Sequence, residues 1–180
     1  TYKNGTGSYQ TSATFSTLAA GSYTFTVQDA NGCTQTVTST VTEPTALTLS
    51  GSVTNVDCKG NSTGSVTLTA GGGTSPYTYK NGTGSYQTSA TFSTLAAGSY
   101  TFTVKDANGC TQTVTSTVTE PTALTLSGSV TNVDCKGNST GSVTLTAGGG
   151  TSPYTYKNGT GSYQTSATFS TLAAGSYTFT

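Results

Sequence analysis

Residues 1–103 recur as residues 78–180, offset by 77, and only one of the 103 aligned positions differs: Gln28 stands where Lys105 does. A chain with this period cannot be one globule whose parts all differ, because whatever one copy folds into, the next must fold into as well. The repeat also sorts functions. An enzyme needs its catalytic set once, whereas a stalk, a filament or a multivalent adhesin uses the same unit many times. The 180 residues hold two full periods and 26 further residues, so the ends do not fall on repeat edges and the chain is expected to be a piece of a longer array.

A unit of 77 residues is large enough to fold alone, on a marginal core. Six Lys offset six Asp and Glu with no His, leaving no basic patch for nucleic acid. Charged residues make up 7% of the chain, where about 25% is usual for soluble domains. A quarter of the residues are Thr, which favours strands over helices. No apolar run approaches the ~20 residues of a membrane-spanning helix, and no signal peptide is visible, so no membrane insertion is expected in this segment.

Alternation and turn chemistry divide one repeat into short strands with no helical period. Strands are predicted over Leu47–Val56, Ser65–Ala70, Tyr77–Tyr79, Ala90–Leu95, Ser99–Lys105 and Thr111–Thr119. Between them lie a loop at 57–64, the break Gly71-Gly72-Gly73-Thr74-Ser75-Pro76, and turns at Asn81-Gly82, Ala96-Ala97-Gly98 and Asp106-Ala107-Asn108-Gly109. One face of each strand is apolar or aromatic and the other carries Thr or Ser, the pattern of sheets with one wet face. Seven or so such strands predict an all-β fold of tandem immunoglobulin-like β-sandwich modules of 77 residues, stacked head to tail. Leu95-Ala96-Ala97-Gly98-Ser99-Tyr100 reads as a tyrosine corner. Pro44 and Pro121 mark short, stiff linkers. The expected divisions are 1–44 (first strands missing), 45–121 (complete) and 122–180 (last strand missing).

Three stretches taken in order carry a family resemblance. They are Cys58-Lys59-Gly60-Asn61-Ser62-Thr63-Gly64-Ser65-Val66-Thr67-Leu68-Thr69, then Gly72-Gly73-Thr74-Ser75-Pro76-Tyr77-Thr78-Tyr79, then Leu95 through Cys110. Together they resemble the SprB repeat, found in very large cell-surface adhesins of gliding Bacteroidota. The resemblance implies export through the type IX secretion system, display outside the bacterial cell surface, and adhesion to substrata. The near identity of the copies departs from the divergent repeats usual in that family and favours a uniform stalk.

Candidate chemistry is sparse. There is no His to act as a base, and the acids of one repeat, Asp57, Asp106 and Glu120, lie far apart in sequence. No catalytic, cofactor or metal residue is expected, and the chain is not expected to be an enzyme. Asp106-Ala107-Asn108-Gly109 offers one carboxylate, better suited to a turn than to calcium. Lys59 and Lys80 have no recognisable acid for an isopeptide bond. Asn4-Gly5-Thr6 and Asn61-Ser62-Thr63 match the glycosylation acceptor pattern, which chance explains in so Asn- and Thr-rich a chain. The Thr runs read as solvent-facing strand positions rather than an ice-binding array. Tyr79 and Tyr86, near the Asn81-Gly82 turn, are candidates for a contact surface that stacks sugars or meets other filaments; core packing is the competing reading.

Cys33, Cys58, Cys110 and Cys135 are disulfide candidates, since two Cys per repeat without a CxxC pair suit an oxidising compartment more than zinc. Three arrangements remain open. Cys58 and Cys110 fall at opposite poles of an immunoglobulin-like path, over ~20 Å apart at ~3.3 Å per strand residue, against the 4.4–6.8 Å between Cα atoms of a disulfide. A head-to-tail stack instead brings Cys58 to the counterpart of Cys110 in the next repeat, at position 187. Free thiols are the third arrangement.

The expected function is a structural and adhesive cell-surface protein, its repeats forming an extended rod or filament for surface attachment, with gliding a further use of such a filament. The alternative is a multivalent carbohydrate-binding, lectin-like repeat. Expected partners are other copies of the same chain, laterally or head to tail, and a surface polysaccharide or substratum.

Overall fold

In the computed structural model, which describes residues 1–180, twelve strands form four three-stranded antiparallel sheets and no helix occurs. The chain divides into two compact units, Thr1–Ala46 with Gly72–Thr74, and Leu47–Gly71 with Ser75–Thr180.

The second unit contains the full set of strands. β4 (Thr48–Thr54), β5 (Gly64–Gly71) and β7 (Thr91–Leu95) form one sheet in the order β4-β5-β7. β6 (Thr78–Asn81), β8 (Gly98–Lys105) and β9 (Thr111–Val118) form another, in the order β6-β8-β9. The two sheets share one core: Val66 and Leu68 from β5 meet Tyr79, Phe102, Val104 and Val118 from the other sheet. Phe92 on β7 packs against Phe102 with ring centroids 4.9 Å apart. The outward positions carry Thr, and neighbouring hydroxyls pair across strands, Thr101 with Thr115 at 3.2 Å and Thr67 with Thr91 at 3.3 Å. All six predicted strands are present within a residue or two of their expected bounds. The complete set numbers six rather than seven, because after Asn81-Gly82 the chain turns without starting a paired strand, and returns as a loop held by a bridge between Tyr79 and Gln87.

Close approach between the sheets depends on glycine. A Cβ added at Gly64 would lie 2.6 Å from Val118 Cγ1 and 2.8 Å from the Leu95 carbonyl oxygen. The corner before β8 is tied as expected, with the Tyr100 hydroxyl donating to the Ala96 carbonyl at 3.0 Å; Tyr23 and Tyr177 repeat the bond. The β8–β9 turn is built on Asp106, whose Oδ1 accepts from the Asn108 and Cys110 amides.

The rest of the second unit is one more sheet, β10 (Thr125–Thr131), β11 (Gly141–Gly148) and β12 (Thr168–Leu172), in the register of β4-β5-β7. Its core holds Val143, Leu145 and Tyr156. The first unit is a single sheet, β1 (Tyr2–Asn4), β2 (Gly21–Gln28) and β3 (Thr34–Val41), in the register of β6-β8-β9. In that unit the Gly73 amide donates to the Thr45 carbonyl at 2.7 Å.

Candidate functional site

Two places in the second unit bring chemistry-bearing residues together. The first is where β9 ends. The Val56 amide donates to the Thr119 carbonyl at 2.9 Å, and the Thr119 amide donates to Asn55 Oδ1 at 3.0 Å. These bonds carry Glu120 to the β4–β5 loop. There the Gly60 amide donates to Glu120 Oε2 at 2.7 Å and Lys59 Nζ meets Oε1 at 3.1 Å. The Gly60 amide, and after it the Lys59 ammonium, hold the Glu120 carboxyl below its ordinary pKa. The loop is itself braced: Asp57 Oδ1 accepts from Thr63 Oγ1 at 2.7 Å, Asn61 Nδ2 at 3.2 Å and the Cys58 amide at 2.7 Å, which lowers the Asp57 pKa in that order of effect. Asp134, Asn138 and Thr140 repeat this brace. Pro121 follows the clasp directly. Beyond it lies a groove of ≈ 330 Å³ lined by Cys58, Lys59, Pro121, Leu124, Tyr154 and Thr180.

All four cysteines are exposed thiols. Cys58 sits in the β4–β5 loop beside the end of β9, whereas Cys110 precedes its start. The eight residues of β9 separate these levels by roughly 26 Å at ~3.3 Å per residue. That distance puts the pairing of Cys58 with Cys110 inside one repeat beyond disulfide reach.

The second place surrounds Tyr86. Lys105 Nζ stands 4.3 Å and Lys80 Nζ 5.1 Å from its ring centroid. Pairing of β6 with β8 sets Lys80 opposite Thr103 and Lys105 opposite Thr78, so both stems project beside the loop that carries Tyr86. Lys3 over Tyr9 at 4.8 Å and Lys157 over Tyr163 at 4.8 Å repeat the contact. Gln28 takes the place of Lys105 in the first copy, so the one difference between the copies falls on this cluster.

Tyr79 is not part of that surface. Its partner in the ladder is Val104, its side chain lies in the core, and burial, with Tyr77 beside it, pushes its phenol up. The expectation of a contact surface at Tyr79 is therefore corrected to core packing, while Tyr86 remains half-buried at the surface. The Lys59–Glu120 clasp was invisible in the sequence: 61 residues separate its partners, and nothing local marks them as neighbours. The lysines beside Tyr86 become legible only once β6 is known to pair with β8.

The family model described as SprB repeat matches residues 50–87 and again 127–164. No curated protein and no solved structure shows significant similarity to the chain.

Proposed function

We propose, from the premise that this chain carries SprB repeats in tandem, that it is a stalk-forming adhesive protein of a bacterial cell surface. Each repeat closes as an immunoglobulin-like sandwich of two facing sheets, and successive repeats stack head to tail in units of 77 residues. The observation that carries this reading is the clasp before Pro121. Lys59 and Gly60 hold Glu120 against the β4–β5 loop, leaving the linker almost no free length. A proline then fixes φ at the joint. Neighbours so joined keep one orientation, and the array extends as a rod whose stability adds repeat by repeat. Many weak surface contacts in register along it sum to avidity. A stalk of this kind is exported and displayed outside the cell, with type IX secretion the route expected of the family.

Small-angle scattering of the chain tests the rod. Rod-like scattering is the expected result, and a broad distribution of end-to-end lengths refutes it. Glu120→Ala should broaden the distribution.

Bridges between repeats would stiffen the rod further. Cys58 lines the groove beyond Pro121 together with Thr180, and Thr180 corresponds to Thr103, on the strand leading into the Asp106–Cys110 turn. The matching cysteine of the next repeat, at position 187, would thus come to the same groove. Joining the two thiols releases two protons and two electrons to an oxidant such as dioxygen or another disulfide. Mass mapping of non-reduced peptides from an array carrying both positions reads the pairing, and fully alkylatable thiols refute it.

The carbohydrate-binding reading has Tyr86 in its favour. With ammonium groups over the ring, an acidic glycan suits the cluster better than a neutral sugar stacked on an open face. Binding to a uronate-rich polysaccharide, weakened by Lys105→Gln and by salt, is its expected signature. Retention of a neutral polysaccharide alone would speak against it.

A further inference from the structure

We infer that each repeat is a load-bearing element, in which tension along the chain shears the first strand against the last and falls on the clasp between residues 55–60 and Thr119-Glu120. This role rests on the stalk reading for one premise, that a repeat is pulled through its two chain ends. Those ends are β4, which opens the repeat, and β9, which closes it. The two strands belong to different sheets, so no ladder joins them. They nevertheless run side by side in the same direction. Midway along β4, an added Cβ at Gly51 would lie 2.8 Å from Ser116 Oγ; further on, the Val56 amide donates to the Thr119 carbonyl at 2.9 Å. Partners thus advance together along both strands. Parallel neighbours put the chain's entry to β4 at one pole and its exit from β9 at the other. Pulling draws Thr48 one way and Val118 the other, along the strand axes rather than across them.

Resistance to that slide is concentrated where β9 ends. Four hydrogen bonds meet there: the Val56 amide to the Thr119 carbonyl, the Thr119 amide to Asn55 Oδ1, the Gly60 amide to Glu120 Oε2, and Lys59 Nζ to Glu120 Oε1. On the β9 side all four fall on two consecutive residues, so sliding β9 loads them together. Peeling a hairpin, in contrast, breaks its ladder one bond at a time. Two of the four end on a carboxylate, and charge-assisted bonds are the stronger kind. The loop that receives them is braced by Asp57 Oδ1, which accepts from the Cys58 amide, Asn61 and Thr63. Load reaching Lys59 and Gly60 therefore passes on to β5, which starts directly after Thr63, instead of unravelling the loop. Beyond the clasp the chain meets a second grip, where the Gly150 amide donates to the Thr122 carbonyl at 2.8 Å. Pro121 alone stands between the two grips.

Forced unfolding follows the barrier to separation rather than overall stability, which makes the path testable. The experiment is single-molecule force spectroscopy of the 180-residue chain, held by its termini in reductant so that no disulfide contributes. Residues 48–120 should part in one step that frees on the order of 250 Å of chain, at ~3.5 Å per residue. Glu120→Ala removes two of the four bonds and should lower the most frequent rupture force by roughly a third to a half. Glu120→Gln keeps an acceptor for Gly60 but drops the attraction for Lys59; it should fall between, and it carries the test if the alanine variant does not fold. Thr91→Gly lies on β7, at the far edge of the sheet from β4. It weakens the fold off the path and should leave the rupture force within about a tenth of the parent value. A force unchanged in the Glu120 variants overturns the load path, as does an equal fall in Thr91→Gly. A chain that scatters as a flexible string, yet whose rupture force still follows Glu120, refutes the rod and leaves the load path standing.

Discussion

Gly64 shows how tightly single residues set this core. The methyl of Gly64→Ala would enter the space of Val118 and of a backbone carbonyl, and a carbonyl cannot step aside. The expected cost is about 1–3 kcal/mol, as for other overpacked cores, read from urea denaturation with β9 the first element to loosen. Glu120 sets the pH response in the same way. Its folded pKa lies below the unfolded one, so the clasp contributes stability above the usual carboxylate range. That contribution is lost as pH falls through the lowered folded value. Glu120→Gln should therefore flatten the acid limb of a stability profile, and a carboxyl NMR titration of Glu120 should report the depressed midpoint. A midpoint at the ordinary value would show that the Gly60 and Lys59 contacts do not persist in solution.

At the level of strands and turns, much could be read directly from the residues. Alternation in Ser65–Ala70 and Ser99–Lys105 names the buried faces correctly, because each strand has one Thr-rich side and one apolar side. The Tyr100 corner was legible too, since its bond is local, four residues back along the chain. Tyr79 was harder. Tyr77 and Tyr79 share one alternation, and only pairing with Val104 decides how deep Tyr79 sits. Thr94 was not legible at all. It has φ 56°, and Thr17 and Thr171 repeat the value in the other copies. A β-branched residue in the left-handed region is costly. The outlier falls just before the Leu95–Tyr100 corner, in a sheet whose register shifts between Gly64 and Val66. Thr94→Gly should relieve the strain and raise stability by about 0.5–1 kcal/mol, whereas Thr91→Gly, in regular strand, should lower it by a similar amount. Equal losses at both sites would show that the φ value carries no strain.

For the whole molecule, the deciding quantity is how little charge the chain presents. Six Lys and six acids over 180 residues leave long Thr-covered surfaces with no net charge. One of the six Lys is already engaged by Glu120. Electrostatic repulsion, which ordinarily keeps exposed strand edges apart, is therefore weak. Side-by-side association of chains should follow, with contacts recurring every 77 residues so that each weak touch is repeated in register. Screening acts only on charges, so this association should persist from low to high salt, unlike a contact made through the lysines beside Tyr86. In sedimentation velocity, species that grow with concentration and ignore salt would establish lateral bundling. Species that dissolve as salt rises would assign the contact to the lysine cluster instead, and a monomer at every salt concentration would refute lateral association.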